Sequence, residues 1–144
     1  MIEVRVHPDP IDPAAELARV EALGCGGVAS FTGLVRGSDG VSALHLDHYP
    51  GMTERVLTEL AEAAKARWSL DGVVIVHRVG AMQPGERIVI VVAGARHRGP
   101  ALEACAYLID RLKVDAPFWK RESAGAGDRW VEARDSDHAA AARH

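Results

Sequence analysis

Apolar and polar residues alternate at the start of the chain, with Ile2, Val4 and Val6 set against Glu3, Arg5 and His7. A period of two predicts a half-buried strand. Pro8–Pro13 ends it. Asp12 before Pro13 predicts a helix start, because Asp accepts from free N–H groups and Pro suits the first turn. Leu17, Val20 and Leu23 follow at helical spacing, and Gly24 is the stop. Val28–Val35 is rich in Val, Phe and Thr and predicts a strand. Val41–Tyr49 predicts another, alternating Leu44, Leu46 and His48 with His45, Asp47 and Tyr49. With the turn-forming Gly37-Ser38-Asp39-Gly40 between them, the two strands predict a hairpin.

Pro50-Gly51 breaks the pattern, and Thr53 is placed to cap a helix carrying Val56, Leu57, Leu60 and Ala64, with Trp68 near its end. Val73–Val79 and Arg87–Ala95 are nearly continuous apolar runs around a turn at Pro84-Gly85. Runs without alternation predict strands buried on both faces. Gly99-Pro100 opens a third helix, with Ala101, Leu102, Cys105, Leu108, Ile109 and Leu112 at core spacing and Pro117 beyond its end. Ala116–Arg134 is aromatic and charged without a clear period. The order β-α-β-β-α-β-β-α predicts one α+β domain over residues 1–144, with three main helices and a mixed or antiparallel sheet. The alanine-rich tail, 135–144, is set apart as a segment that can be flexible.

Length and composition agree with one globular core: 144 residues, 48% hydrophobic and 26% charged. The net charge of -3 gives no sign of a broad nucleic-acid-binding face, although it leaves room for a local basic pocket. The two cysteines, Cys25 and Cys105, form no CxxC pair and read as reduced thiols, Cys105 in the core. There is no apolar leader and no run of about 20 apolar residues, so the cytoplasm is the expected compartment. GxGxxG, P-loop, HExxH and GxSxG patterns are absent, and no His or Cys has a partner at zinc-ligand spacing. His45 and His48, three apart on a strand, fall on opposite faces. Neither a metal nor a nucleotide cofactor is expected.

Three stretches could carry chemistry. Arg96-His97-Arg98 precedes a helix, where free N–H groups and the helix dipole favour an anion. A solvated basic turn fits the same spacing. Lys113 ends that helix, where the dipole alone would favour a cation. Beyond it, Phe118-Trp119 adjoin Lys120, Arg121 and Glu122. Aromatic surface can desolvate a lysine and make it a usable base or nucleophile, but Phe and Trp there equally suit a core or an interface. Arg36 closes Phe31-Thr32-Gly33-Leu34-Val35-Arg36, a strand running into a turn, where binding residues and plain surface arginines both occur.

Taken together, these stretches resemble the large subunit of molybdopterin synthase. The matching blocks are Phe31-Thr32-Gly33 with Val35-Arg36, His48-Tyr49-Pro50-Gly51-Met52-Thr53-Glu54, His77-Arg78-Val79-Gly80, Pro84-Gly85-Glu86 and His97-Arg98. Lys113, then Ala116-Pro117-Phe118-Trp119-Lys120-Arg121-Glu122, and Gly127-Asp128-Arg129-Trp130-Val131-Glu132-Ala133-Arg134 complete the set. The blocks span about Ala29 to Asp137. The resemblance implies an α/β hammerhead-type fold and a dimer of large subunits within a heterotetramer. It implies a partner at each dimer end, a small ubiquitin-like sulfur carrier whose terminal Gly-Gly carries a thiocarboxylate. It implies that cyclic pyranopterin monophosphate becomes molybdopterin by taking up two sulfurs.

The family's pocket residues fall on Arg36, His97, Arg98, Lys113, Lys120, Arg121 and Glu122. Lys113 is the implied main catalytic lysine, as general acid/base or holding the thiocarboxylate. Lys120 comes second, by charge stabilisation or a transient covalent role. Arg36, His97 and Arg98 are implied to bind the phosphate or the pterin. The chain departs from the family at Leu34, where a basic residue is common, and at Arg98-Gly99-Pro100, where serines are common. The competing expectation is a non-catalytic module that docks a ubiquitin-like protein or a phosphorylated ligand.

Overall fold

The computed structural model describes residues 1–37, 41–124, 127–131 and 140–144, with side chains left aside at 41, 42, 121–124 and 127–131. Its elements run β1 (Ile2–His7), α1 (Pro13–Glu21), β2 (Gly27–Leu34), β3 (Val41–His48), α2 (Met52–Trp68), β4 (Gly72–Arg78), β5 (Gly80–Met82), β6 (Arg87–Ala95), α3 (Arg98–Asp115), β7 (Phe118–Ala124) and β8 (Gly127–Val131). They form two four-stranded sheets, ordered β1-β4-β6-β2 and β5-β3-β7-β8. The first is mixed, because β1 runs parallel to β4 while β4–β6 and β2–β6 are antiparallel. The second is antiparallel throughout. The α+β expectation is met.

The apolar runs are buried as expected. Every residue of β4, and every residue of β6 but Arg87, is buried. Alternate residues of these strands feed two separate cores. Val73, Ile75, Val89 and Val91 face α2, α3 and the second sheet. Val74, Val76, Ile90 and Val92 face Ile11 and Val20 at α1. A strand with a core on each side has no polar face, so its sequence shows no alternation. Cys105 belongs to the larger core, and burial pushes its thiol up to about 11, which leaves it unreactive.

Three local readings need correction. Val28–Val35 and Val41–Tyr49 do not form a hairpin: β2 pairs with β6, and β3 pairs with β5 and β7 in the other sheet. Residues 38–40 of the proposed turn lie outside the described residues. The long apolar run of β6 offered β2 a better-buried partner than its neighbour in sequence. The second correction concerns α2, which is capped at Gly51 (φ 88°), whose N–H donates to Glu54 Oε1 at 3.1 Å. Thr53 lies inside the first turn, fully buried; its hydroxyl accepts from Tyr49 N at 3.0 Å and donates to Pro117 O at 3.1 Å. It ties the end of β3 to the entry of β7.

The third correction is Ala116–Arg134, which contains β7 and β8. Opposite register positions share a face, so Phe118, Lys120 and Glu122 alternate with Trp119, Arg121 and Ser123. Both sets mix aromatic or polar with charged residues, which hides the period of two.

At the other end of the chain, Asp12 caps α1 as its sequence predicts, accepting from Ala15 N, and Pro13 fills the first position. Glu16, buried on α1, pairs with Arg5 of β1 and with Arg19. Residues 135–139 lie outside the described residues. Beyond them, Ala141 is buried and His144 Nε2 lies 2.6 Å from Asp110 Oδ2. Tyr107 connects this contact to Trp68, with ring centroids 5.2 Å apart.

Candidate active site

β4 carries a histidine where its apolar face would otherwise continue. Val73, Ile75 and position 77 point toward α2, α3 and the second sheet, and His77 is 4% exposed. Its Nδ1 lies 2.8 Å from Arg78 O. Only a protonated Nδ1 can donate to that carbonyl, so Nε2 is left as the acceptor nitrogen. One face of the ring stacks on Phe118, with centroids 4.0 Å apart and planes 23° from parallel.

Two lysines from different elements act on this ring through their charge. Lys113 comes from the last turn of α3 and Lys120 from β7, and both charges act on His77, as does His48 of β3. Burial first, then these charges, push the His77 imidazole down to about 3, while the Arg78 carbonyl pulls the other way. His77 is therefore neutral at any working pH. The unfolded chain takes up a proton near pH 6.5 that the folded chain refuses, so stability falls as pH drops from about 6.5 toward 3. The slope should be roughly 1 kcal/mol per pH unit. Urea unfolding of His77→Phe across this range should show a flatter acid limb than the parent; an unchanged limb would refute the assignment.

The strand register places the remaining members of the basic block. Lys120 stands opposite Leu46, Arg121 opposite His45 and Glu122 opposite Leu44. Tyr49 and Trp119 meet edge to face at 4.3 Å where β3 ends and β7 begins. Arg36, exposed, follows β2 at the same end of the first sheet as His77: Val35 N donates to Glu86 O at 2.9 Å, and Gly85 N to Val35 O at 2.8 Å. Arg78 secures that turn from the α1 side, donating to Glu86 Oε2 at 3.3 Å and to Pro8 O at 3.1 Å.

His97 and Arg98 stand elsewhere. They begin α3 beyond the opposite end of β6, where Gly27 pairs with Ala95. Arg98 and Lys113 are fifteen residues apart on one helix, which separates them by about 22 Å along its axis. Within one chain the basic residues thus form two groups. The second group lines an open groove of about 540 Å³ formed by Gly26, Arg96, His97, Arg98, Gly99 and Pro100. A Cβ at Gly26 would come within 2.1 Å of Arg96 O, so only glycine lets β2 begin this close to the turn. His97 makes no side-chain cap, and Pro100 removes one of the free N–H groups that a serine would leave. Anion binding here must lean on the side-chain cations.

Sequence reading gave His77 no role, although a histidine inside a run buried on both faces was the available signal. Thr53 was read only as a cap, and its link to Pro117 joins segments far apart in the chain.

Two four-stranded sheets, with the charges of Lys113 and Lys120 both acting on a buried neutral histidine, define an α+β domain with a charged, polar interruption in its core. The model of the MoaE protein family matches residues 6–115. The molybdopterin synthase catalytic subunit of Yersinia pestis is 54% identical over 82% of this chain and 80% of its own. A molybdopterin biosynthesis MoaE protein from Burkholderia ambifaria has a TM-score of 0.87 at 45% identity, covering 99% of this chain and 97% of its own. A molybdopterin synthase from Staphylococcus aureus has a TM-score of 0.79 at 30% identity, over 88% and 94%. The chain belongs to the MoaE family, the catalytic subunits of molybdopterin synthase.

Proposed function

We propose that this chain catalyses sulfur transfer to cyclic pyranopterin monophosphate, forming molybdopterin in two deliveries from the thiocarboxylate of a small ubiquitin-like carrier. The observation that carries this reading is that the charges of Lys113 and Lys120, from α3 and β7, both act on the buried His77. The phosphorylated pterin and the thiocarboxylate are both anions, and two ammonium groups at one end of the fold offset their charge. Attack by sulfur builds negative charge on the pterin and calls for proton transfers. Lys113 serves as general acid/base, and Lys120 stabilises the developing charge. Arg36 stands at the same end to hold the phosphate. Glu122, in the same alternate set of β7 as Lys120, belongs to the same pocket, whereas Arg121 falls in the other set. The reaction runs in the cytoplasm.

His97 and Arg98 join the pocket from a second copy. In one chain they cannot reach the lysines, and the resemblance implies a dimer of large subunits. β2 is an edge strand of the first sheet and exposes Phe31 and Leu34 next to Arg36. An open apolar edge is the kind of surface that a second chain covers. The active assembly is then a heterotetramer, with one carrier at each end of the dimer.

Reconstitution tests the reading. Purified protein, thiocarboxylated carrier and cyclic pyranopterin monophosphate should together yield molybdopterin, detected as its fluorescent oxidised derivative, and omission of any component should leave none. A folded protein that binds the carrier and forms no product would instead be a docking module.

A further inference from the structure

His77-Arg78-Val79-Gly80 has no part in the chemistry just described, yet its first residue feels the charges of both lysines. A leucine at position 77 would continue the apolar face of β4 at no desolvation cost, whereas a histidine must bury two ring nitrogens. One of them is satisfied by Arg78 O at 2.8 Å, which fixes the plane of the ring. The fixed face stacks on Phe118, the first residue of β7. Phe118 and Lys120 are two apart on that strand and share a face, Phe118 opposite His48 and Lys120 opposite Leu46. Whatever sets Phe118 therefore sets the strand from which Lys120 rises. β4 and β7 belong to different sheets, so this stack also ties the sheet that carries Lys120 to the sheet against which α3, with Lys113, is packed.

We propose that His77 is the positioning residue of the lysine pair, a backbone-anchored ring on which Phe118 stacks and which sets where Lys120 stands relative to Lys113. The proposal rests on the reading that these lysines serve sulfur transfer. Being neutral, the ring adds no third positive charge among the groups that face it, which are Lys113 from α3, Lys120 from β7 and His48 from β3.

The test uses the full complex with thiocarboxylated carrier and the pterin, and compares His77→Ala, Phe118→Ala, their double variant and His77→Phe. His77→Ala and Phe118→Ala should each lower kcat by about 100-fold, as a displacement near 1 Å does. KM for the pterin and affinity for the carrier should change little. The double variant should be no worse than the poorer single one, because both remove the same contact. His77→Phe keeps a flat ring for Phe118 to stack on but loses the bond to Arg78 O, so it should recover only part of the lost kcat. The pH profile of kcat should shift in His77→Ala, since the surroundings of both lysines change. A purely structural role would lower the melting temperature and leave kcat per folded molecule and its pH profile unmoved, and that result overturns the proposal. So does additivity in the double variant. If His77→Ala does not fold, Phe118→Ala decides by the same readouts, a parental kcat and pH profile again counting against the proposal. Lys113→Ala run in parallel separates the two levels. A dead Lys113→Ala beside a fully active His77→Ala sinks this proposal alone, whereas an active Lys113→Ala sinks the function reading beneath it.

Discussion

Lys113→Ala should abolish molybdopterin formation while the protein folds, dimerises and binds the carrier as before. The lysine sits in the last turn of α3, where its contribution to the helix is a dipole interaction of a few tenths to about 1 kcal/mol. The helix is held chiefly by its core residues, among them Leu108 and Leu112, so the variant should stay folded. Loss of a positioned general acid/base typically costs about 10²–10⁴-fold in rate. The fall should appear in kcat with KM for the pterin altered less, because the group acts on charge that develops during the reaction. Single-turnover formation of product, followed with thermal unfolding and carrier binding on the same preparation, checks all three parts. Turnover equal to the parent would remove Lys113 from the mechanism. Equal losses in turnover and carrier binding would make it a docking residue.

The parts legible in the sequence were those with a single physical cause. Pro13 after Asp12 marks α1 because capping is local. The unbroken apolar runs at β4 and β6 mark strands between two cores, since no polar face survives there. The partner of β2 was not legible. Sequence neighbours favour a hairpin with β3, while burial favours pairing with β6, and only the assembled sheet shows that burial wins. β7 was hidden because both of its faces mix charged with aromatic or polar side chains, so its hydropathy has no period. At the proposed site, Lys113 and Lys120 were read by resemblance, and the structure adds that both charges act on His77. His77 was visible only as a polar residue in a buried run. The separation of Arg98 from Lys113 could have been read earlier, because both lie on one helix whose length follows from its residue count.

That separation leads to a result of opposite sign to any single substitution. Arg98→Ala alone should lower turnover by about 10- to 100-fold, as loss of charge-assisted contacts to a phosphate does. Lys113→Ala alone should be inactive. Mixed in one preparation under conditions where subunits exchange, the two should recover activity. A dimer with one subunit of each kind has two composite sites. One combines both substitutions, and the other takes its arginine and its lysine from the two unaltered positions. Random exchange makes about half the dimers mixed, each with one intact site of two, so activity should rise to about a quarter of the parental value. If each chain instead supplied its own arginine to its own lysine, every site in every dimer would carry one substitution, and mixing would give nothing beyond the average of the two variants. The first outcome is the one expected from the proposed function, because α3 separates Arg98 from Lys113 within one chain by about 22 Å along its axis. Exchange itself can be checked by mass measurement of differently tagged subunits, so that an absence of recovery in a mixed population would count against the shared pocket.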